Sequence, residues 1–139
     1  MAVSFVKFNS FVEALAEKVH NFQSDVLTIA LCNTANAPVA SNTKLSDLVQ
    51  ISYTNLSSRV LTVASSSQTA GVYKLFLNDL ILTATTGTVA TFQYVVIYND
   101  TATNDELIGY YNPGGSLTLN IGDSLTLDFD GTNGVIQLT

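Results

Sequence analysis

Two carboxylates, Asp128 and Asp130, stand two positions apart in a stretch that alternates apolar and polar residues. On a strand that spacing puts both on one face, about 7 Å apart. At such a separation one carboxyl can protonate a leaving group while the other activates water. General acid work also needs one of the pair held at a raised pKa in a cleft. These two alternate instead with hydroxyls, as a solvated strand face does. The segment Asp100–Glu106 is rich in oxygen ligands and invites Ca²⁺, but Ala102 and Asp105 occupy the positions where an EF-hand loop carries an acid and a glycine. A solvated connection is the simpler reading. Cys32 and His20 are each the only residue of their kind, so a thiol nucleophile would lack the second partner that such sites use. Cys32 is expected to pack as a small hydrophobe, and His20 to sit in the last turn of a helix, where a cation suits the dipole. Tyr94, Tyr98, Tyr110 and Tyr111 can stack on sugar rings or fill the interior of a sandwich. Gly114-Gly115 and Gly131–Gly134 read as turn glycines, since neither opens a helix after a strand as a phosphate cradle does. The residue types thus predict no catalytic group, no metal site and no cofactor.

Composition limits the partners as well. The 139 residues fit one domain and can bury roughly two-thirds of the surface that the unfolded chain exposes. Five Lys and Arg against eleven Asp and Glu give a net charge of −6. A groove that tracks phosphates needs clustered cations, so nucleic acid is not an expected partner, and neither is an anionic membrane surface. The apolar runs, of which Val26–Cys32 is typical, are too short to span a bilayer. The opening Met1–Phe5 lacks the marks of a secretory signal, and the lone cysteine permits no internal disulfide, so synthesis in a reducing cytoplasm, or somewhere indifferent to redox, is expected. Charged residues make up only 12% of the chain, about half the usual share. Polarity comes instead from Ser, Thr and Asn. Burying a hydroxyl or amide against a partner costs far less than burying an unpaired charge, so such a surface suits permanent assembly, although Thr-rich outward strand faces would look the same.

The elements that hold these residues are mostly strands. Ser10 and Glu13 form a capping-box pattern, and Phe11, Val12, Leu15, Ala16, Val19 and Phe22 recur at helical spacing, which predicts a helix over Phe11–His20. Residues 1–23 thus form an arm and helix, and residues 24–139 the sandwich. Val26–Cys32 is apolar on both parities apart from Thr28, as a central strand covered on both faces is. Thr43 can cap a short helical turn through Leu48. Arg59–Ala64 reads as a strand, Ser65–Gly71 as a hairpin loop, and Val72–Leu77 and Leu80–Thr85 as strands whose apolar phase slips at Asn78-Asp79, where a tight turn or bulge is required. The last third continues with Val89–Asn99, Glu106–Tyr111, Ser116–Ile121, Ser124–Asp130 and Val135–Leu138, separated by turn-forming residues. Phe92, Tyr94, Val96 and Tyr98 should share one face. Leu117, Leu119 and Ile121 should point inward, as should Leu125, Leu127 and Phe129. The prediction is a mainly β protein: a single antiparallel β-sandwich, jelly-roll-like, with an N-terminal α-helix.

Several strings, taken in order, resemble a family of small head-associated structural proteins of tailed bacteriophages. They are Phe92–Thr101 (FQYVVIYNDT), Glu106–Tyr111 (ELIGYY), Gly115–Leu119 (GSLTL) and Gly122–Phe129 (GDSLTLDF), with Ser46–Leu48 and Gly71–Leu75 upstream. Gln93 stands where that family usually has Arg, and Glu106 where it usually has Pro. The resemblance implies a capsid decoration or cement protein: a homo-oligomer, expected as a trimer, bound to several subunits of the major capsid protein on the virion surface. Phe5, Val6, Phe8, Phe11 and Val12 are the expected contact residues, so removal of residues 2–8 would abolish capsid binding and leave the sandwich folded. Alternatives are a neck or tail component, or a carbohydrate-binding module of a fibre, which would need an exposed aromatic platform.

Overall fold

A computed structural model describes residues 3–139. Among the described residues, nine strands and one short α-helix follow in the order β1 (Phe5–Lys7), α1 (Phe11–Ala16), β2 (Leu27–Cys32), β3 (Val63–Thr69), β4 (Val72–Leu77), β5 (Leu80–Thr83), β6 (Tyr94–Asn99), β7 (Leu107–Tyr111), β8 (Ser124–Leu127) and β9 (Ile136–Leu138). All pairings are antiparallel. One sheet runs β1-β7-β6-β2; the opposing layer is made of β3-β4-β9 and the pair β5-β8. Early strands pair with late ones in nested order, β5 with β8 inside β4 with β9, as in a jelly roll. The expected antiparallel β-sandwich with one N-terminal helix is what forms.

The main core lies between the layers. Leu27, Ile29 and Leu31 of β2 and Val95 and Ile97 of β6 meet Leu75, Leu77, Leu82 and Ile136 from the other side. The alternate residues of the same strands, Ala30, Cys32, Val96 and Tyr98, join Phe8 and Leu107 in a second, smaller core on the outer face. Leu45 and Leu48, on and just after a 3₁₀ turn at Leu45–Asp47, pack over it. The Asp47 carboxylate secures that turn by accepting the backbone and side-chain hydrogens of Thr43 at 2.9 and 3.0 Å. All six residues of β2 are therefore buried, the double-sided burial that its uninterrupted apolarity requires.

Several elements depart from their sequence pattern, each for a local reason. The helix ends at Ala16 and not at His20, because Lys18 turns into the left-handed region at φ 67°. Val19, His20 and Phe22 consequently leave the helical stripe, and Ser10 makes no side-chain cap bond. Ser65–Thr69 is strand and not loop: the reversal needs only Ala70 and Gly71, at φ 52° and 81°, a left-handed pair that matches the twist of a two-residue hairpin. At Asn78-Asp79 the chain passes from the β4 sheet to β5 in the other pair, which accounts for the phase slip. Val89–Gln93 precedes β6 without joining it, so Phe92 leaves the Tyr94–Val96–Tyr98 face and enters the main core. Ser116–Ile121 contributes only a single bridge, Phe92 to Leu117, and Ile121 is exposed.

Candidate functional site

The carboxylates that could do acid–base chemistry are not placed for it. β8 ends at Leu127, so Asp128 and Asp130 lie beyond the strand, and both are exposed. Asp130 closes a turn: Oδ1 accepts the backbone N–H of Thr132 and of Asn133, each at 2.8 Å. These bonds favour the charged form and hold its pKa below the usual carboxylate value, the reverse of what a general acid needs. Asp128 borders an open depression of about 610 Å³ together with Asp79 and Phe76. Asp79 Oδ1 accepts the Phe129 N–H at 3.0 Å, so one of its lone pairs stitches the β4–β5 passage to the chain after β8.

Side-chain oxygens of the Asp100–Glu106 segment are already engaged, partly with the start of β2 and partly within the segment. Thr101 Oγ1 accepts the Val26 N–H at 2.8 Å, and Glu106 Oε1 accepts from Asn104 Nδ2 at 3.0 Å. Among the described residues no group of three or more His, Cys, Asp or Glu side chains converges as metal ligands would. A second shallow depression, about 390 Å³, lies beside Lys44, Gln50, Asn104 and Asp105. Cys32 is fully buried, and burial pushes its thiol up to about 11, leaving it protonated and packed, as expected.

None of the aromatic residues is fully exposed. All six Tyr and all seven Phe are buried or half-buried. Tyr98 fills the outer core, and Tyr53 lies under the Arg59 guanidinium, 3.7 Å from ring centroid to Cζ. Among the described residues no aromatic ring is exposed enough to stand alone as a platform for a sugar; those that reach the surface are half-buried. Arg59 in turn donates to the Ile29 carbonyl at 2.6 Å, so this cation is used in tying the Ser58–Leu61 segment to β2.

The N-terminal residues divide. Phe8 has no exposed surface and packs against Tyr110 at 5.2 Å; Phe11 is buried beside Phe22. Phe5 lies across Gly109, where a Cβ would overlap its ring, and against Tyr111. Of the five expected contact residues, Val6 and Val12 face solvent, 39% and 51% exposed, while Phe8 and Phe11 are enclosed by the chain's own core. β1 is the outer edge of its sheet, with Val6 and Lys7 open to solvent. The lysine is the kind of charge that keeps an edge from pairing at random.

Sequence reasoning missed one group. His20 is not a helix cap but a buried ring, 6% exposed, stacked on Phe22 and next to Phe11, with Asn99 against it. Asn99 has no exposed surface and uses both ends of its amide. Oδ1 accepts from Thr101 N and Ala102 N at 3.0 and 3.1 Å; Nδ2 donates to Asp25 Oδ2 at 2.6 Å and to His20 Nδ1 at 3.1 Å. The only hint in the sequence was an Asn-Asp pair closing a strongly apolar strand. No helix among the described residues is long and apolar enough to cross a membrane. No family model matches the chain, and no curated protein or solved structure does either.

Proposed function

We propose that the chain is a structural virion protein that decorates and cements the capsid shell of a tailed bacteriophage. It is made in the host cytoplasm, forms a homo-oligomer, expected as a trimer, and binds several subunits of the major capsid protein. No nucleic acid, membrane or cofactor takes part. The observation that supports this reading best is a charge-poor surface carrying isolated aliphatic side chains, with Val3, Val6 and Val12 exposed along the edge strand and the first helix. Aliphatic surface next to hydroxyl and amide groups can be covered without stranding a charge. A partner that binds only the assembled shell stabilises it by mass action, so no bond need be made or broken.

Val6 and Val12 are the residues on which the reading can be tried with least damage to the fold. A Val6→Asp/Val12→Asp double variant alters exposed positions, where substitutions usually shift stability by about 0.5 kcal/mol or less each. It should melt near the wild type and fail to co-sediment with purified heads. Heads that bind the double variant as tightly as the wild type would remove the N-terminal edge from the interface.

A further inference from the structure

We propose that His20 is an acid-sensitive latch: neutral, it fastens the Phe11–Asp25 segment to the end of β6, and protonation opens that segment before the sandwich unfolds. The geometry fixes the tautomer. Because Asn99 Oδ1 is held by two backbone N–H groups, its Nδ2 faces the ring. His20 Nδ1 must then accept, and the ring proton sits on Nε2. Nε2 is itself buried and has no hydrogen-bond partner among the described residues, so the imidazole is tied down through Nδ1.

Protonation strikes that one bond. An Nδ1–H would point at the Asn99 amide hydrogens, which cannot turn away because the other end of the amide is committed to Thr101 and Ala102. The new charge would also sit beside the Phe11 and Phe22 rings, 5.6 and 5.7 Å from the imidazole, on a ring that is only 6% exposed to water. The acidic groups that face His20 are Glu106, at the start of β7, and Asp25, in the turn before β2. Asp25 is already engaged with Asn99. On the helix side Glu13, Glu17 and Lys18 are exposed. Burial outweighs the two carboxylates and lowers the His20 pKa below its ordinary 6.5.

A base whose folded pKa is depressed binds its proton more readily in the open state. The latch is at full strength above about pH 6.5, the ordinary pKa of the open imidazole. As pH falls from there towards the folded pKa, the closed-to-open ratio drops about tenfold per unit. Below the folded pKa it changes no further on this account.

Since His20 is the only histidine, its ring resonances can be followed by NMR in the full-length chain without assignment ambiguity. Amide exchange over residues 11–25, corrected for intrinsic rates, reads the opening. The expected results are an Nε2–H tautomer at neutral pH, a ring that titrates below 6.5, and opening that rises about tenfold per pH unit between those values. His20→Phe keeps the stack but cannot titrate, and His20→Asn keeps an acceptor at the Nδ1 position; each should show opening that is flat from pH 7 to 5. An imidazole that titrates at or above 6.5, an Nδ1–H tautomer, or an acid-driven opening that persists in either variant would overturn the proposal. Should neither variant fold, the wild-type titration and tautomer decide alone.

Discussion

Replacing Phe8 with alanine is expected to cost about 3–5 kcal/mol, the range for emptying a fully packed phenylalanine site. Phe8 has no exposed surface and closes the outer core against Tyr110, Ala30, Cys32 and Val96. Its backbone N–H continues the β1–β7 pairing by bonding to the Ile108 carbonyl at 3.2 Å. A domain of this size has about 5–15 kcal/mol in all, so the melting temperature should fall by roughly 10 °C or more. Thermal unfolding followed by far-UV circular dichroism measures this; a fall of only 2–3 °C would mean that β1 and Phe8 do not dock as described. The same packing revises the expectation for removing residues 2–8. That truncation takes away β1 and Phe8 and uncovers the edge of β7, so it should damage the fold as well as any contact. Loss of capsid binding by the truncated chain would carry no information, whereas the Val6/Val12 substitutions leave the core intact.

Asn99→Ala should be nearly as damaging although it removes so few atoms. The wild-type amide satisfies the N–H groups of Thr101 and Ala102, the Asp25 carboxylate and the His20 ring at once. Without it His20 keeps neither ring nitrogen paired, and Nε2 already has no partner. Each buried polar group left unsatisfied costs about 1–3 kcal/mol, so a total of about 2–6 kcal/mol is expected if two remain unpaired after relaxation. Asn99→Asp separates the contributions. It preserves the acceptor for Thr101 and Ala102 but sets a second carboxylate against Asp25, and two such groups cannot both ionise at close range without cost. Urea unfolding at pH 7 and pH 5 should find the Asp variant much less stable than wild type at pH 7, with part of the gap closed at pH 5. A cost below about 1 kcal/mol for Asn99→Ala would show that water or backbone movement replaces the amide readily.

What could be read from residue types was the architecture, and what could not was the terminal packing. β2 was legible because both of its parities are apolar, which leaves double burial as the one consistent placement. The phase slip between Leu77 and Leu80 likewise demanded a break, and the chain changes sheets there. Alternation was less informative where no partner strand was at hand: Ser116–Ile121 has the pattern of a strand, yet only Leu117 bridges and Ile121 stays outside. The serine run Ser65–Ser67 looked like a loop because it lacks apolar residues, but β3 is paired on one side only, by β4, and needs few. The helical stripe from Phe11 to Phe22 was partly coincidence. Once Lys18 turns left-handed, Val19, His20 and Phe22 are delivered by the turn and not by helical periodicity. Phe5, Phe8 and Phe11 looked like sticky arm residues because nothing in a short irregular stretch says which side of an edge strand will be covered. His20 and Asn99 are 79 positions apart, and no spacing rule relates them.

The placement of Phe8 and Phe11 also narrows where a shell contact can form. If the protein cements a capsid, the N-terminal segment contributes through its outer aliphatic face and its free strand edge, not by inserting aromatic rings. A binding surface of that kind, rigid and low in charge, loses little conformational entropy on docking. It would also be weakly sensitive to salt, since few of its contacts are ionic.

The most direct measurement is the melting temperature of purified, undecorated heads with and without a saturating amount of the full-length protein. The cement reading predicts stoichiometric co-sedimentation and a head transition several degrees higher, an increase that disappears with the Val6→Asp/Val12→Asp variant. A wild-type protein that stays in the supernatant at micromolar concentration and leaves the head transition unmoved would contradict the account.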